Sequence, residues 1–279
     1  METSGCKIRT MTRKEVDIAI EWAAAEGWNP GLHDAESFYA ADPNGFFIAE
    51  LNGEPAGCIS AVAYDDTFGF MGFYIVRKDL RKQGIGMALW ETAIKYMGAR
   101  TIGGDGVVSM VNKYVQCGFQ IGNYNARYEG IGMKSVSQLT DLCDVPFAEL
   151  ARFDRRFFPA PRNQFLKTWI SQAGVHSLAL MDGSRLTGYG VIRPCFRGFK
   201  IAPIFADSSA IAEKLFTALA SFADGKSIFL DIPVSNREAM KLVERHTMTK
   251  VFETVRIYKG AKPVLPLDHI YGITSFELG

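Results

Sequence analysis

Several things are scarce in this sequence, and each scarcity removes a class of function. Cys6, Cys58, Cys117, Cys143 and Cys195 are an odd number, widely scattered, and no two stand close enough to suggest a zinc site, a redox motif or a disulfide framework. His33, His176, His246 and His269 are equally dispersed, so no metal is expected. An excess of either charge is missing too: 31 basic side chains almost cancel 30 acidic ones. Such a chain has no global field to draw it to nucleic acid or an anionic membrane, and neither is expected as a partner. Met1-Glu2-Thr3-Ser4-Gly5-Cys6-Lys7 leads into polar, charged sequence without an apolar stretch of signal-peptide length, and no later run is long enough to span a bilayer. The expectation is a soluble, cytoplasmic protein.

What is present is apolar patterning. Over 279 residues, 48% are hydrophobic, enough for one large core or two ordinary domains. Phe46-Phe47-Ile48-Ala49-Glu50-Leu51 and Pro55-Ala56-Gly57-Cys58-Ile59-Ser60-Ala61-Val62 flank Asn52-Gly53-Glu54, the signature of a hairpin. A third apolar run, 68–76, ends at charged Arg77-Lys78-Asp79 before a glycine-containing loop. Beyond that loop Met87, Leu89, Trp90, Ile94 and Met97 recur at helical spacing, and Gly98 supplies a stop.

The same order returns. A hairpin is read over 177–181 and 187–192 around Asp182-Gly183, then a run over 199–205. Ser208 or Ser209 would cap a helix carrying Ile211, Leu215, Phe216 and Leu219. A strand at 228–232 precedes a helix beginning near Asn236. Similar phrases close the halves, Arg127-Tyr128-Glu129-Gly130 and Arg256-Ile257-Tyr258-Lys259-Gly260, and 77 residues separate both Gly53 from Gly130 and Gly183 from Gly260. This pattern predicts a duplicated α/β unit of the α+β, mixed-sheet kind, with the boundary in the polar stretch 130–145.

The chemistry is expected at Arg81-Lys82-Gln83-Gly84-Ile85-Gly86. A helix N-terminus offers unpaired N–H groups and partial positive charge, and glycines let a phosphate reach them. Neither nucleotide-loop spacing nor the full dinucleotide fingerprint is present, so a different phosphate ligand is indicated. The stretch 76–86 resembles the coenzyme A motif of the GNAT superfamily of N-acetyltransferases: a strand ending in Val, a charged turn, then Arg-x-x-Gly-x-Gly opening a helix. Tyr114-Val115-Gln116-Cys117-Gly118-Phe119 is similar to that family's Tyr-x-x-x-Gly-Phe segment. Three further phrases resemble the subgroup with a YitH-type second domain: Glu26-Gly27-Trp28-Asn29-Pro30-Gly31, Asn125-Ala126-Arg127-Tyr128-Glu129-Gly130 and Tyr271-Gly272-Ile273-Thr274-Ser275-Phe276-Glu277-Leu278-Gly279.

The resemblance implies two tandem GNAT-like domains, a catalytic 1–132 and a degenerate 145–279, joined by a linker at 133–144. It implies acetyl-CoA as cosubstrate and an amine as acceptor, most simply the primary amine of a small molecule. Arg81, Lys82, Gln83, Gly84, Ile85 and Gly86 would hold the pyrophosphate, and Phe73, Tyr74, Ile75 and Val76 would line the pantetheine arm, a backbone N–H near Ile75 or Val76 meeting the oxyanion. Tyr114 is the implied acid for the departing thiolate. Many family members carry Asn seven residues before this tyrosine; here Val107 stands there, after Asp105-Gly106. The early loop points to Glu26, Trp28 and Asn29 as acceptor-site residues, and a water chain to Glu26, Asp34, Asp65 or Asp66 could serve as base.

In the second half Pro203-Ile204-Phe205-Ala206-Asp207-Ser208-Ser209 stands where the glycine loop should be, and Thr247-Met248-Thr249 replaces Gly-Phe. This reads as a fold copy without coenzyme, able to close the acceptor pocket or to form a homodimer surface. Its basic stretches, 152–162 and 193–200, read as solvated faces. A non-catalytic acyl-CoA sensor and a protein lysine or N-terminal acetyltransferase remain open as alternatives.

Overall fold

The computed structural model describes residues 6–134 and 139–279. Residues 1–5 and 135–138, the latter inside the expected linker, lie outside the described residues. The first half runs β1 (Cys6–Thr10), α1 (Arg13–Ala25), α2 (Asp34–Ala41), β2 (Phe46–Leu51), β3 (Glu54–Ala63), β4 (Phe68–Val76), α3 (Ile85–Met97), β5 (Thr101–Val107), α4 (Val111–Gln116) and β6 (Gln120–Ile131). The second repeats it: β7 (Thr140–Asp141), α5 (Phe147–Asp154), α6 (Asn163–Trp169), β8 (His176–Asp182), β9 (Arg185–Pro194), β10 (Phe199–Ala206), α7 (Ser209–Ser221), β11 (Ser227–Pro233), α8 (Arg237–Arg245) and β12 (Thr249–Lys259). A short β13 (Ile270–Gly272) follows. No helix among the described residues is long and apolar enough to cross a membrane.

All strands join one mixed sheet, ordered β1-β2-β3-β4-β5-β12-β6-β11-β10-β9-β8-β7, with β13 beside β10. Read inward from either edge, the strands correspond one to one, which is the duplication expressed in space. The two closing strands are exchanged: β12 lies against β5, and β6 lies against β11. Each exchange is fastened by an arginine paired directly across the ladder to an aspartate of the other half. Arg127 bonds Asp231 through Nε at 2.6 Å and Nη2 at 2.8 Å. Arg256 bonds Asp105 at 2.9 and 2.5 Å. These are the arginines of the two repeated phrases. Removing one partner of such a buried pair strands the other charge out of water, at about 3–5 kcal/mol.

The sheet is covered on both faces, so its inner strands are apolar on both sides. Phe46 and Ile48 of β2 enter a core with α1 and α2, whereas Phe47 and Ala49 enter the core under α3. The first of these cores spans the halves. Phe38 of α2 stacks on Trp169 of α6 at 5.9 Å and on Phe165 at 6.5 Å. Three residues of the supposedly solvated basic stretches belong to this junction: Arg162, Arg193 and Lys200 are buried. Arg193 crosses to Asp34 at 2.6 and 3.0 Å and lies over Trp169, and Arg162 pairs with Asp154 at 2.9 and 2.7 Å. Tertiary partners, invisible in local composition, draw the two arginines inside, whereas the Lys200 ammonium is buried without a hydrogen-bond partner.

Candidate active site

Parallel strands β4 and β5 pair from Phe68↔Thr101 to Met71↔Gly104 and then part. The cause is a bulge in β4. Cys58 pairs with Ile75 and Ser60 with Gly72, so Ile59 alone faces Phe73 and Tyr74. Phe73 takes φ +45°, a strained value for a bulky residue. Its buried ring, edge-on to Phe38 at 5.7 Å, holds it there. On its other edge β5 is paired by β12 from Ile102↔Lys259 to Val107↔Thr254, which keeps it straight past the parting. A cavity of about 510 Å³ opens in the fork. Phe73, Tyr74, Ile75 and Val76 form one wall and Gly104, Asp105, Gly106 and Val107 the other.

At one end the cavity reaches the glycine loop. Arg81, Lys82 and Gly86 line it, whereas Gln83 and Gly84 lie exposed and Ile85 is buried in the core beneath. Lys82 at φ +65° and Gly84 at φ +86° turn the chain into α3. The N-terminus of α3 has no side-chain cap. At the matching helix of the second half, α7, the Ser208 hydroxyl accepts from the Ile211 N–H at 3.4 Å, and Asp207 pairs with Arg156 at 2.8 Å. One helix start is open to an anion; the other is closed by its own serine and guarded by an acid. Arg81 is tied back, donating to Val76 O at 2.9 Å and to Glu26 Oε1 at 2.7 Å.

The fork between β10 and β11 is also filled. These strands pair only from Phe199↔Ile228 to Ile201↔Leu230. Strand β13 then lies along β10, Ile204 opposite Gly272 and Phe205 opposite Ile270, and the Ile273 N–H reaches Asp231 O on β11 at 2.8 Å. In the second half, the chain itself sits where the first half has its cavity.

Tyr114, on α4, leans over β5. A Cβ at Gly106 would lie 2.2 Å from its ring and 2.9 Å from its hydroxyl, so only glycine leaves room there. Burial raises the Tyr114 phenol above its ordinary pKa, which keeps it protonated at neutral pH. Glu26 and Trp28 line the cavity. Asn29 lies off its wall: its amide accepts from Arg197 N at 2.8 Å and donates to Arg197 O at 3.0 Å, tying the early loop to the second half.

Of the acids named from sequence as proton acceptors, Glu26 alone reaches the cavity, already paired with Arg81. Asp34 is committed to Arg193, and Asp65 accepts from Thr67 and Phe68 N–H groups, each at 2.8 Å, to close its own turn. Asp66 is fully exposed beside Arg100. The sequence reading passed over Glu277, a buried acid among the residues that line the cavity. It is 3% exposed, and neither carboxylate oxygen has a hydrogen-bond partner. Thr254, across the same cavity, has an equally unpartnered Oγ1. The only sequence signal was one acid in an otherwise small and apolar run, 270–279, every residue of which is buried. Among the described residues no group of His, Cys, Asp and Glu is arranged to hold a metal.

Comparison with known proteins agrees with this duplicated architecture. Residues 15–118 match the acetyltransferase (GNAT) family and residues 150–272 the acetyltransferase (GNAT) domain. The chain is 30% identical over 270 residues to a holothin acyltransferase of Pseudoalteromonas sp. (strain SANK 73390), covering 95% of this chain and 92% of that protein. It is 23% identical over 260 residues to the uncharacterized N-acetyltransferase YitH of Bacillus subtilis (strain 168), 91% of each chain being covered. A solved structure, a putative acetyltransferase from Pyrococcus horikoshii, shares the fold with a TM-score of 0.83 at 23% identity, over 99% of this chain and 96% of that one. The protein therefore belongs to the GNAT superfamily, as an acyltransferase built of two tandem GNAT-like units, the second of them degenerate.

Proposed function

We propose that the protein transfers an acetyl group from acetyl-CoA to the primary amine of a small molecule, by direct attack in a ternary complex. The observation that carries this reading is the fork between β4 and β5, which runs to an uncapped helix N-terminus in the first half and is plugged in the second. The pyrophosphate would rest on the N–H groups opening α3, with Lys82 and Gly86 on its cavity side, and the acylated pantetheine would lie along β4. Residues 1–132 then hold the donor, and 145–279 supply Phe252, Thr254, Phe276 and Glu277 to the acceptor end.

In the reaction the neutral amine attacks the thioester carbon, and the carbonyl oxygen becomes an oxyanion beside a backbone N–H near Ile75 or Val76. The C–S bond breaks, Tyr114 gives its proton to the thiolate, and the amine sheds a proton as the amide forms. A small acceptor is favoured because Trp28, Phe252 and Phe276 wall that end with apolar surface. The relative named a holothin acyltransferase makes holothin the first acceptor to offer. With acetyl-CoA as donor, the reaction is proposed to run in the cytoplasm. The test is acceptor-dependent release of coenzyme A across an amine panel led by holothin. Release with at least one amine is expected. Tight coenzyme binding without turnover on any amine would favour an acyl-CoA sensor instead.

A further inference from the structure

Five acidic side chains are buried around the junction of the two halves. Four of them meet an arginine fork: Asp34 with Arg193, Asp105 with Arg256, Asp154 with Arg162 and Asp231 with Arg127. Glu277 is the fifth, and no protein donor reaches either of its oxygens. Ionised carboxylates leave water only where donors replace it. Two other buried groups lack partners as well, Arg193 Nη1 and Lys200 Nζ, and neither bonds it; a donor arriving through the cavity that Glu277 lines would supply what is missing.

Its position is fixed by the 270–279 segment, not by its own side chain. The Tyr64 hydroxyl donates to Leu278 O at 2.9 Å, and Arg162 donates to Thr274 Oγ1 at 3.0 Å and Gly279 O at 3.3 Å. The carbonyl of Glu277 presses onto Gly72, where a Cβ would stand 2.1 Å from it. Gly72 is the residue just before the Phe73 bulge, so the backbone of Glu277 crosses β4 at the point where β4 and β5 part. Arg127 and Arg193 are electrostatically coupled to it, as are Lys200 and Asp105. None of these four bonds it, and the Nε and Nη2 groups of the four arginines are already taken by their aspartates.

We propose that Glu277 receives the amino group of the acceptor and takes its proton as the amide forms, with the Thr254 hydroxyl as a second polar contact and the acceptor's apolar body against Trp28, Phe252 and Phe276. The inference rests on the transferase reading above and names the acceptor class: a compact primary amine on an apolar, ring-sized frame. A neutral primary amine brings two N–H donors, one for the carboxylate and one for the hydroxyl, both of which lack partners. The nitrogen lone pair forms the C–N bond, and the N–H electrons stay on nitrogen as the proton passes to Glu277. The degenerate half thus completes the active site of the other.

The experiment compares the wild-type chain with Glu277→Gln, Glu277→Asp and Thr254→Val, using holothin, 2-phenylethylamine and tyramine with acetyl-CoA. Removing a general base lowers turnover by about 10²–10⁴-fold. In Glu277→Gln the acid limb of the rate–pH profile, where a carboxylate base loses activity on protonation, should disappear. Acetyl-CoA affinity and thermal midpoint should stay at wild-type values, and Glu277→Asp should recover part of the rate. Thr254→Val should raise KM with little change in kcat. Turnover in Glu277→Gln within a few-fold of wild type, with the acid limb kept, would overturn the inference and leave the transferase reading standing. If the wild type binds acetyl-CoA but acylates no amine, the transferase reading fails separately. Calorimetric titration of the coenzyme-loaded protein with the same amines then decides: loss of amine binding in Glu277→Gln supports the site, and equal binding, or none in either protein, overturns it.

Discussion

Alanine at position 72 adds one methyl group where the structure leaves no space for it. The new Cβ would stand 2.1 Å from the Glu277 carbonyl oxygen and 2.9 Å from its carbonyl carbon. Both are backbone atoms, so no rotamer change relieves the clash; either β4 or the 276–278 stretch has to move. Strand β4 is held by β3 on one side and β5 on the other, whereas 276–278 is held at its flanks by Tyr64 and Arg162. The stretch should therefore lift. Overpacking of this kind costs about 1–3 kcal/mol. A reacting group displaced by about 1 Å loses on the order of 100-fold in rate. The glycine loop lies at the other end of the cavity, so acetyl-CoA affinity should hold. Urea unfolding, coenzyme titration and amine turnover of Gly72→Ala would give these three quantities. Wild-type stability together with wild-type turnover would refute the claim that Glu277 is seated on β4.

Replacing Tyr114 by Phe removes the thiolate's proton source, so kcat should fall by about 10²-fold or more while acetyl-CoA binding is retained; equal losses in both would contradict the acid role. Gly106→Ala meets only the Tyr114 ring, 2.2 Å away, and should reproduce the kinetic defect of Tyr114→Phe with a smaller loss of stability, readable from paired kinetic and denaturation measurements. Arg193→Met leaves Asp34 buried without its fork, and urea denaturation should report a loss of about 3–5 kcal/mol. Hydrogen bonds from Arg9, then from the Thr12 N–H, hold Glu15 at about 2 against an ordinary 4.5. Its folded pKa is depressed, so its contribution to stability is whole above 4.5 and fades as pH falls toward 2. The difference in thermal midpoint between wild type and Glu15→Gln should shrink over that window.

Local chemistry was legible in the sequence. Asn52-Gly53 and Asp182-Gly183 both close hairpins, with Gly53 at φ +85° and Gly183 at φ +59°, because few residues other than glycine tolerate that turn. The glycine loop sits at the start of α3, and the equal spacing of the halves reappears as matched strand order. Pairing partners were not legible. The side-chain pattern along β6 and β12 does not say which strand lies beside each, so the exchange was hidden. The same limit applies to Arg193 and Lys200, whose charge suggested water until Asp34 and Asp231 supplied tertiary surroundings. Glu277 is the sharpest case: it lies 205 positions after Gly72 in the chain, and only the folded path of 270–279 brings it to the fork.

The central claim is that one half of the duplicated fold takes the acyl donor and the other half has given up that capacity. A crystal structure of the chain with coenzyme A tests this most directly. One coenzyme per chain is expected, its pyrophosphate on the N–H groups opening α3 beside Lys82 and Gly86 and its pantetheine between β4 and β5. Coenzyme bound between β10 and β11, or an empty β4–β5 fork under saturating coenzyme, would contradict it.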